Sequence, residues 1–201
     1  LKKEKQKLKL QLLKEKNNMT KELLKKIETG IVIKLDTLEN QANIIYLGIG
    51  SSLGNRKLNI EKTKFNLIEN NIDILETSSY YESLSWPNSN NPKFLNIVLK
   101  INTKLTPLKL LKICKKIEKK IGRKKSYKNA PRECDIDILD FNSSVIKSNI
   151  NLPHPRMHTR NFVLFPLFEL NKDWIHPSLK RDIKKLINAL PKKSIRSIKQ
   201  I

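Results

Sequence analysis

The chain has 201 residues and a formal net charge of +22, from 41 Lys and Arg against 19 Asp and Glu. That length suits one ordinary domain with a real core plus a tail. No run of about 18 apolar residues exists, which predicts no membrane-spanning helix, and the polar N-terminus reads against a signal peptide; the cytoplasm is the expected compartment.

The positive charge invites a nucleic-acid reading. Lys is abundant together with Ile and Asn, however, which looks like the drift of an AT-rich genome, so most Lys are expected to be solvated surface. Arginine is more informative, because a chain that defaults to Lys keeps Arg where a planar, bidentate guanidinium matters. Arg stands only at 56, 123, 132, 156, 160, 181 and 196, and the run from Arg123 to Arg160 points to anionic oxygens nearby. Cys114 and Cys134 read as small core hydrophobes in a reducing compartment.

Residues 1–43 form a basic N-terminal extension. It is rich in Lys, Leu, Glu and Gln, and is either helical, a disordered arm or part of something upstream, with Met19 a candidate start; no function is assigned to it. Residues 44–50 are a short buried strand running into Ser51-Ser52-Leu53-Gly54-Asn55-Arg56. The G-x-G-x-x-x-G spacing is one residue too long for a dinucleotide loop, and no Gly-Lys-Ser/Thr follows, so this is a tight strand-to-helix turn. An amphipathic helix is predicted over 55–70 and a strand over 72–83. The loop 85–92 holds Trp86, either as a lid anchor on the core or as a binding wall. The strand 94–101 carries Asn96, either a satisfied edge group or a directional hydrogen-bonding residue at a site.

Thr106-Pro107 opens a helix that Gly122 ends. A basic loop, 123–130, then leads into Pro131–Leu139. Read with period two, Cys134, Ile136 and Ile138 face one way and Glu133, Asp135 and Asp137 the other. This is a half-buried strand whose open face carries two carboxylates roughly 7 Å apart, a spacing that suits a pair of divalent cations. A short return strand is expected at 145–146. His154 and His158 lack the Glu of a zinc-protease motif; His154, held between two prolines, favours a phosphate contact over a core role. Residues 163–170 pack as core, Trp174 lies in a loop near His176-Pro177, a last amphipathic helix covers 178–190, and 191–201 is a loose basic tail.

The order strand, helix, strand, strand, helix, strand is the split βαβ arrangement. It predicts an α+β, ferredoxin-like βαββαβ core with C-terminal additions and a three-layer type of helix packing on an antiparallel sheet, the helices of the core unit on one face and the site on the open face.

Gly50–Arg56, Phe94-Leu95-Asn96, Ala130-Pro131-Arg132 with Asp135-Ile136-Asp137-Ile138, and Pro153-His154-Pro155-Arg156 through Arg160 and Phe162 occur in that order. Together they resemble the 6-hydroxymethyl-7,8-dihydropterin pyrophosphokinases over about residues 44–190. The resemblance implies transfer of the diphosphate of ATP to the hydroxymethyl group of the pterin, releasing AMP, as a step of folate synthesis. It implies that Asp135 and Asp137 hold two Mg²⁺ ions, with Arg123 and Arg132 also catalytic. It implies that Glu118, Arg123, Lys125, Arg132, His154 and Arg160 serve ATP, and that Ser83, Leu84, Trp86, Phe94, Asn96 and Phe162 serve the pterin. Asn129 stands where some relatives have Trp, Ser52 where Asn is common, and Lys125 where Arg is common. A monomer that binds these two small molecules, without nucleic acid or membrane partners, is expected. The rivals are a basic RNA-binding ferredoxin-like module, disfavoured because its acids would repel a phosphate backbone, and a catalytically inactive copy.

Overall fold

The strand that carries the two aspartates becomes one edge of a six-stranded sheet. The computed structural model describes residues 43–127 and 129–201; the predicted N-terminal extension lies almost wholly outside them. Strand β1 (Asn43–Ser51) is central, pairing antiparallel with β4 (Phe94–Thr103) on one side and β5 (Asp135–Phe141) on the other. The path across the sheet is β5-β1-β4, then β3 (Tyr81–Ser83) and β8 (Lys199–Gln200).

The predicted strand over 72–83 is two strands, β2 (Asp73–Thr77) and β3 (Tyr81–Ser83), which pair with opposite ends of β4. Between them Ser78 takes over the edge: its N–H donates to Val98 O and its hydroxyl accepts from Val98 N. A polar side chain substitutes for the ladder where the strand bends.

Helix α1 (Arg56–Glu69) begins where Gly54 turns the chain with φ +63°, and Asn55 caps it by accepting from Leu58 N at 3.0 Å. The Arg56 guanidinium is structural, donating to Lys93 O and Glu82. Helix α2 (Pro107–Ile121) starts at Thr106-Pro107 and stops at Gly122, whose φ is +119°. Both helices cover one sheet face, over a core that includes Ile45, Leu47, Ile97, Leu99 and Ile136. Each such side chain contributes about 1.5–3 kcal/mol on burial.

The sequence predicts an open opposite face, and the structure corrects this. Tyr46, Val98 and Leu139 point into a second core built by α3 (Asn161–Leu170) and α4 (Ile183–Asn188). The apolar run 163–170 supplies Val163, Leu164 and Leu167 to it. Trp174 lies in a loop before His176-Pro177 as expected, is buried in this second core, and donates its indole N–H to Asp140 at 2.8 Å. Burial pushes the Asp140 carboxyl up. The last amphipathic helix is much shorter than 178–190, because Lys180 turns with φ +53° and Asp182 caps a fresh start by accepting from Lys185 N. Strands β6 (Ile146–Lys147) and β7 (Asn151–Leu152) form a separate ribbon; the short 3₁₀ turn Met157–Thr159 then leads to α3.

The tail is not loose. Residues Lys192–Ser197 form α5, and β8 (Lys199–Gln200) adds to the free edge of β3, pairing Gln200 with Tyr81 and Lys199 with Glu82. Among the described residues no helix is long and apolar enough to cross a membrane. Cys114 and Cys134 are free, buried thiols that burial pushes up to about 12.

Candidate active site

The period of β5 decides which side chains meet. Ile136 and Ile138 are sealed under α1 and α2, while Asp135 and Asp137 stand half-buried on the other face. In register, Asp135 lies opposite Gly50 and Asp137 opposite Gly48; across β1, Gly50 lies opposite Asn96, which in turn pairs with Tyr81. One row across the sheet therefore runs from a carboxylate, over a glycine, to a buried amide. With no side chain at Gly50, the floor between them is open.

Each carboxylate is surrounded by cations. Arg123 Nη1 donates to Asp135 Oδ1 at 2.7 Å and Arg132 Nη1 to the same oxygen at 3.2 Å. Burial lowers the Arg123 pKa, but Asp135 and Glu118 more than restore it, so it ends above its ordinary value. Arg160 Nη1 donates to Asp137 Oδ2 at 3.1 Å, and His154 Nε2 lies 3.7 Å from that oxygen. His154 Nδ1 accepts from Arg156 N, which puts the ring proton on Nε2, facing the acid. Burial lowers the His154 pKa.

The chain fixes these groups through its turns. Arg132 is clamped to the turn after β1: its N–H donates to Ser52 Oγ, and its carbonyl accepts from Ser52 and Leu53 N–H. Its Nε also donates to Ala130 O. His154 N–H donates to Leu139 O at 2.8 Å, which ties the Pro-His-Pro segment to β5.

The second half of the site is apolar with one directed amide. Asn96 is buried, and its Nδ2 donates to Tyr81 O and Ser83 Oγ. That commits the amino group and leaves Oδ1 as the acceptor beside Gly50. Phe94 and Phe162 supply aromatic surface, and the Arg160 guanidinium lies 5.4 Å from the Phe162 ring centroid. Trp86 is 65 % exposed, so it is not anchored in the core; it forms pocket wall, with the Arg156 guanidinium 5.8 Å from its ring.

The cavity holds about 650 Å³, within the range of small-molecule sites. Of the residues the resemblance implicates, Ser83, Leu84, Trp86, Phe94, Asn96, Arg132, Asp135, Asp137, Arg160 and Phe162 line it. Arg123 and His154 reach it through the aspartates. Glu118 stands behind it, 2 % exposed, accepting from Ile136 N at 2.8 Å and paired with Arg123 at 2.6 Å. Lys125 is exposed on the loop after α2, outside the cavity wall.

Of the contributors that escape the sequence reading, two matter most for the shape of the cavity. One is the tail, through Ser194 and Ser197. The other is Gly50: a Cβ there would lie 3.1 Å from Asn96 Oδ1 and 3.3 Å from Phe94 Cδ1. The G-x-G pattern inside a buried strand was the available signal. With the two substrates that the resemblance implies, Gly50→Ala is expected to push Asn96 and Phe94 out of line and raise KM for the pterin about tenfold, with KM for ATP nearly unchanged, as steady-state kinetics would show.

Among the described residues no group of three or more His, Cys, Asp or Glu forms a metal cage. A pair of carboxylates on an open face suits an ion that keeps waters and binds substrate phosphates, as Mg²⁺ does.

Residues 46–172 match the family described as 7,8-dihydro-6-hydroxymethylpterin-pyrophosphokinase. A 2-amino-4-hydroxy-6-hydroxymethyldihydropteridine pyrophosphokinase of Aquifex aeolicus is 41% identical over 141 residues, covering 70% of this chain and 88% of its own. A folic acid synthesis protein of Dictyostelium discoideum is also 41% identical, over 138 residues, covering 68% of this chain, which spans 21% of that protein. The solved HPPK-DHPS of Plasmodium falciparum with pterin and p-hydroxybenzoate shares the fold, with a TM-score of 0.62 at 18% identity over 81% of this chain and 47% of that one.

Proposed function

The chain belongs to the 7,8-dihydro-6-hydroxymethylpterin-pyrophosphokinase family, and on that basis we propose how its own residues carry the family's reaction. The reaction moves the diphosphate of ATP onto 6-hydroxymethyl-7,8-dihydropterin. The hydroxymethyl oxygen gives up its proton to solvent and bonds to the β-phosphorus, the bond from that phosphorus to the α-phosphate oxygen breaks, and AMP leaves with the pterin methyl diphosphate as product. This is a step of tetrahydrofolate biosynthesis.

The observation that carries the reading is the row Asp135, Gly50, Asn96. It sets a carboxylate for phosphate chemistry and an amide for a flat heterocycle side by side on one rigid sheet, with a glycine floor between. Asp135 and Asp137 would hold two Mg²⁺ ions, which when bound stabilise the charge on the reacting phosphates.

The chain's own groups do the rest. Arg123, Arg132 and Arg160 take the phosphate oxygens, and the His154 Nε2 proton donates to one of them. Lys125 adds charge from its loop. Such transfer depends on neutralisation and alignment more than on covalent help. Asn96 Oδ1 accepts an N–H of the pterin, and Phe162 and Phe94 stack on the ring. Ser83, Leu84 and Trp86 close the wall, and Trp86 and its loop exclude water. Glu118 serves ATP indirectly, by holding Arg123. All of these groups come from one chain, which favours a monomer. The free thiols favour the cytoplasm, and the acids on the working face disfavour nucleic acid as a partner.

The test is a product assay with ATP, Mg²⁺ and 6-hydroxymethyl-7,8-dihydropterin. AMP that forms only when the pterin is present is the expected result. Pterin-dependent ADP, or no turnover by folded protein, overturns the assignment.

A further inference from the structure

We propose that the C-terminal segment Pro191–Ser197 is a working wall of the pterin half of the pocket, that the small side chains of Ser194 and Ser197 set the size of heterocycle admitted, and that Asn161 is the positioning residue that holds this wall. The inference rests on the pterin reading above and assigns specificity within it.

Lys193, Ser194 and Ser197 line the cavity, although they belong to a segment whose composition reads as solvated tail. Two independent attachments keep them there. The first is the sheet: β8 pairs with β3, the strand that ends at Ser83, and Ile201 N–H donates to Tyr80 O at 2.9 Å. The second is Asn161, which is 8 % exposed. Its Nδ2 donates to Ser194 O at 2.7 Å and to Ser197 Oγ at 3.3 Å, while its Oδ1 accepts from Phe162 N at 2.7 Å. One buried amide thus sets both the backbone that carries the Phe162 ring and the turn that faces it. Ile195 packs on the second core and keeps α5 seated.

Both attachments lead to the residues assigned to the heterocycle, Ser83 and Phe162. Neither leads to Arg123 or Arg132 on the phosphate side, and Arg160, which directly precedes Asn161, is held by Asp137 and not by the tail. The wall is therefore expected to act on the pterin and not on the nucleotide. Its side chains are suited to a flat ring: the Ser197 hydroxyl is spent on the wall itself, donating to Ser194 O at 2.9 Å and accepting from Asn161, while the Ser194 hydroxyl can meet the polar edge, and the small size of both leaves room for it. A pocket rejects oversized ligands by filled volume, so the width left by Ser194 is a specificity determinant.

The experiment compares Ser194→Trp, Asn161→Ala and, as a control on the same helix but outside the cavity wall, Arg196→Ala. Steady-state KM for 6-hydroxymethyl-7,8-dihydropterin is measured beside the Kd of a non-hydrolysable ATP analogue with Mg²⁺, and folding is checked by thermal melting. Ser194→Trp is expected to raise the pterin KM about tenfold or more, and Asn161→Ala about fivefold, with nucleotide Kd and the control within about twofold of the parent. Asn161→Ala carries the test if Ser194→Trp fails to fold. An unchanged pterin KM, or equal losses for pterin and nucleotide, overturns the wall. A parent protein that makes no pterin-dependent AMP overturns the function instead, a separate outcome.

Discussion

Asp135→Ala and Asp137→Ala are each expected to lower kcat about 10³-fold, a loss of about 4 kcal/mol of transition-state stabilisation. Each removes an anion from the only face of β5 that meets the cavity. Each also releases a guanidinium that the carboxylate now aims: Arg132 and Arg123 at Asp135, Arg160 at Asp137. The fold is expected to survive. The two side chains are 28 % and 30 % exposed, so their ion pairs contribute at most about 1 kcal/mol each after solvent screening. Arg123 keeps Glu118, and Arg132 keeps Ala130 O. Single-turnover kinetics with excess enzyme, beside a melting curve, separates chemistry from stability. Parent-like turnover in both variants would remove these residues from the mechanism.

Glu118→Ala is expected to do the reverse, costing stability first. Its carboxylate is almost fully buried and accepts from Ile136 N, Arg123 and Lys115. Truncation strands the Ile136 N–H inside the core and leaves Arg123 without its rear support. The cost is about 3 kcal/mol, which lowers Tm by about 10 °C in a domain of this size. Glu118→Gln restores an acceptor for Ile136 N and is expected to recover about half of that loss. A Glu118→Ala protein that melts like its parent but binds ATP more weakly would place the carboxylate on the nucleotide instead.

This contrast shows what kinds of information a sequence holds. The alternation from Cys134 to Leu139 was legible because a strand with one buried face must repeat every two residues. The stop at Gly122 was legible because a left-handed residue ends a helix cheaply only as Gly. Glu118 was harder: an acid on an amphipathic helix looks like surface, and only the tertiary fold reveals that it caps a β5 amide from behind. The tail was illegible for a related reason. Lys192, Lys193, Arg196 and Lys199 read as solvated charge, whereas the contacts that order the segment, from Ser194 and Ser197 to Asn161 and from Gln200 to Tyr81, lie far away in the chain. The open sheet face was misjudged because the second core comes from residues after the ferredoxin-like unit. Gly50 was visible as a glycine in a strand, but its purpose depends on the register that sets it between Asp135 and Asn96.

The ion pairs around Asp135 and Asp137 have an energetic consequence for the order of events. The unliganded face is already neutralised, since each carboxylate is satisfied by guanidiniums. A divalent cation arriving alone must compete with Arg123, Arg132 and Arg160 for the carboxylates. A polyphosphate arriving alone must draw those arginines away from them. On the proposed roles, a cation and a polyphosphate arriving together would exchange partners with the protein: the acids would be left to the cation and the guanidiniums to the polyphosphate, with no buried charge left bare. Cation and nucleotide would then be thermodynamically linked, each tightening the other by the same factor. A face so neutralised would take a metal–polyphosphate complex as one ligand and respond weakly to either component by itself.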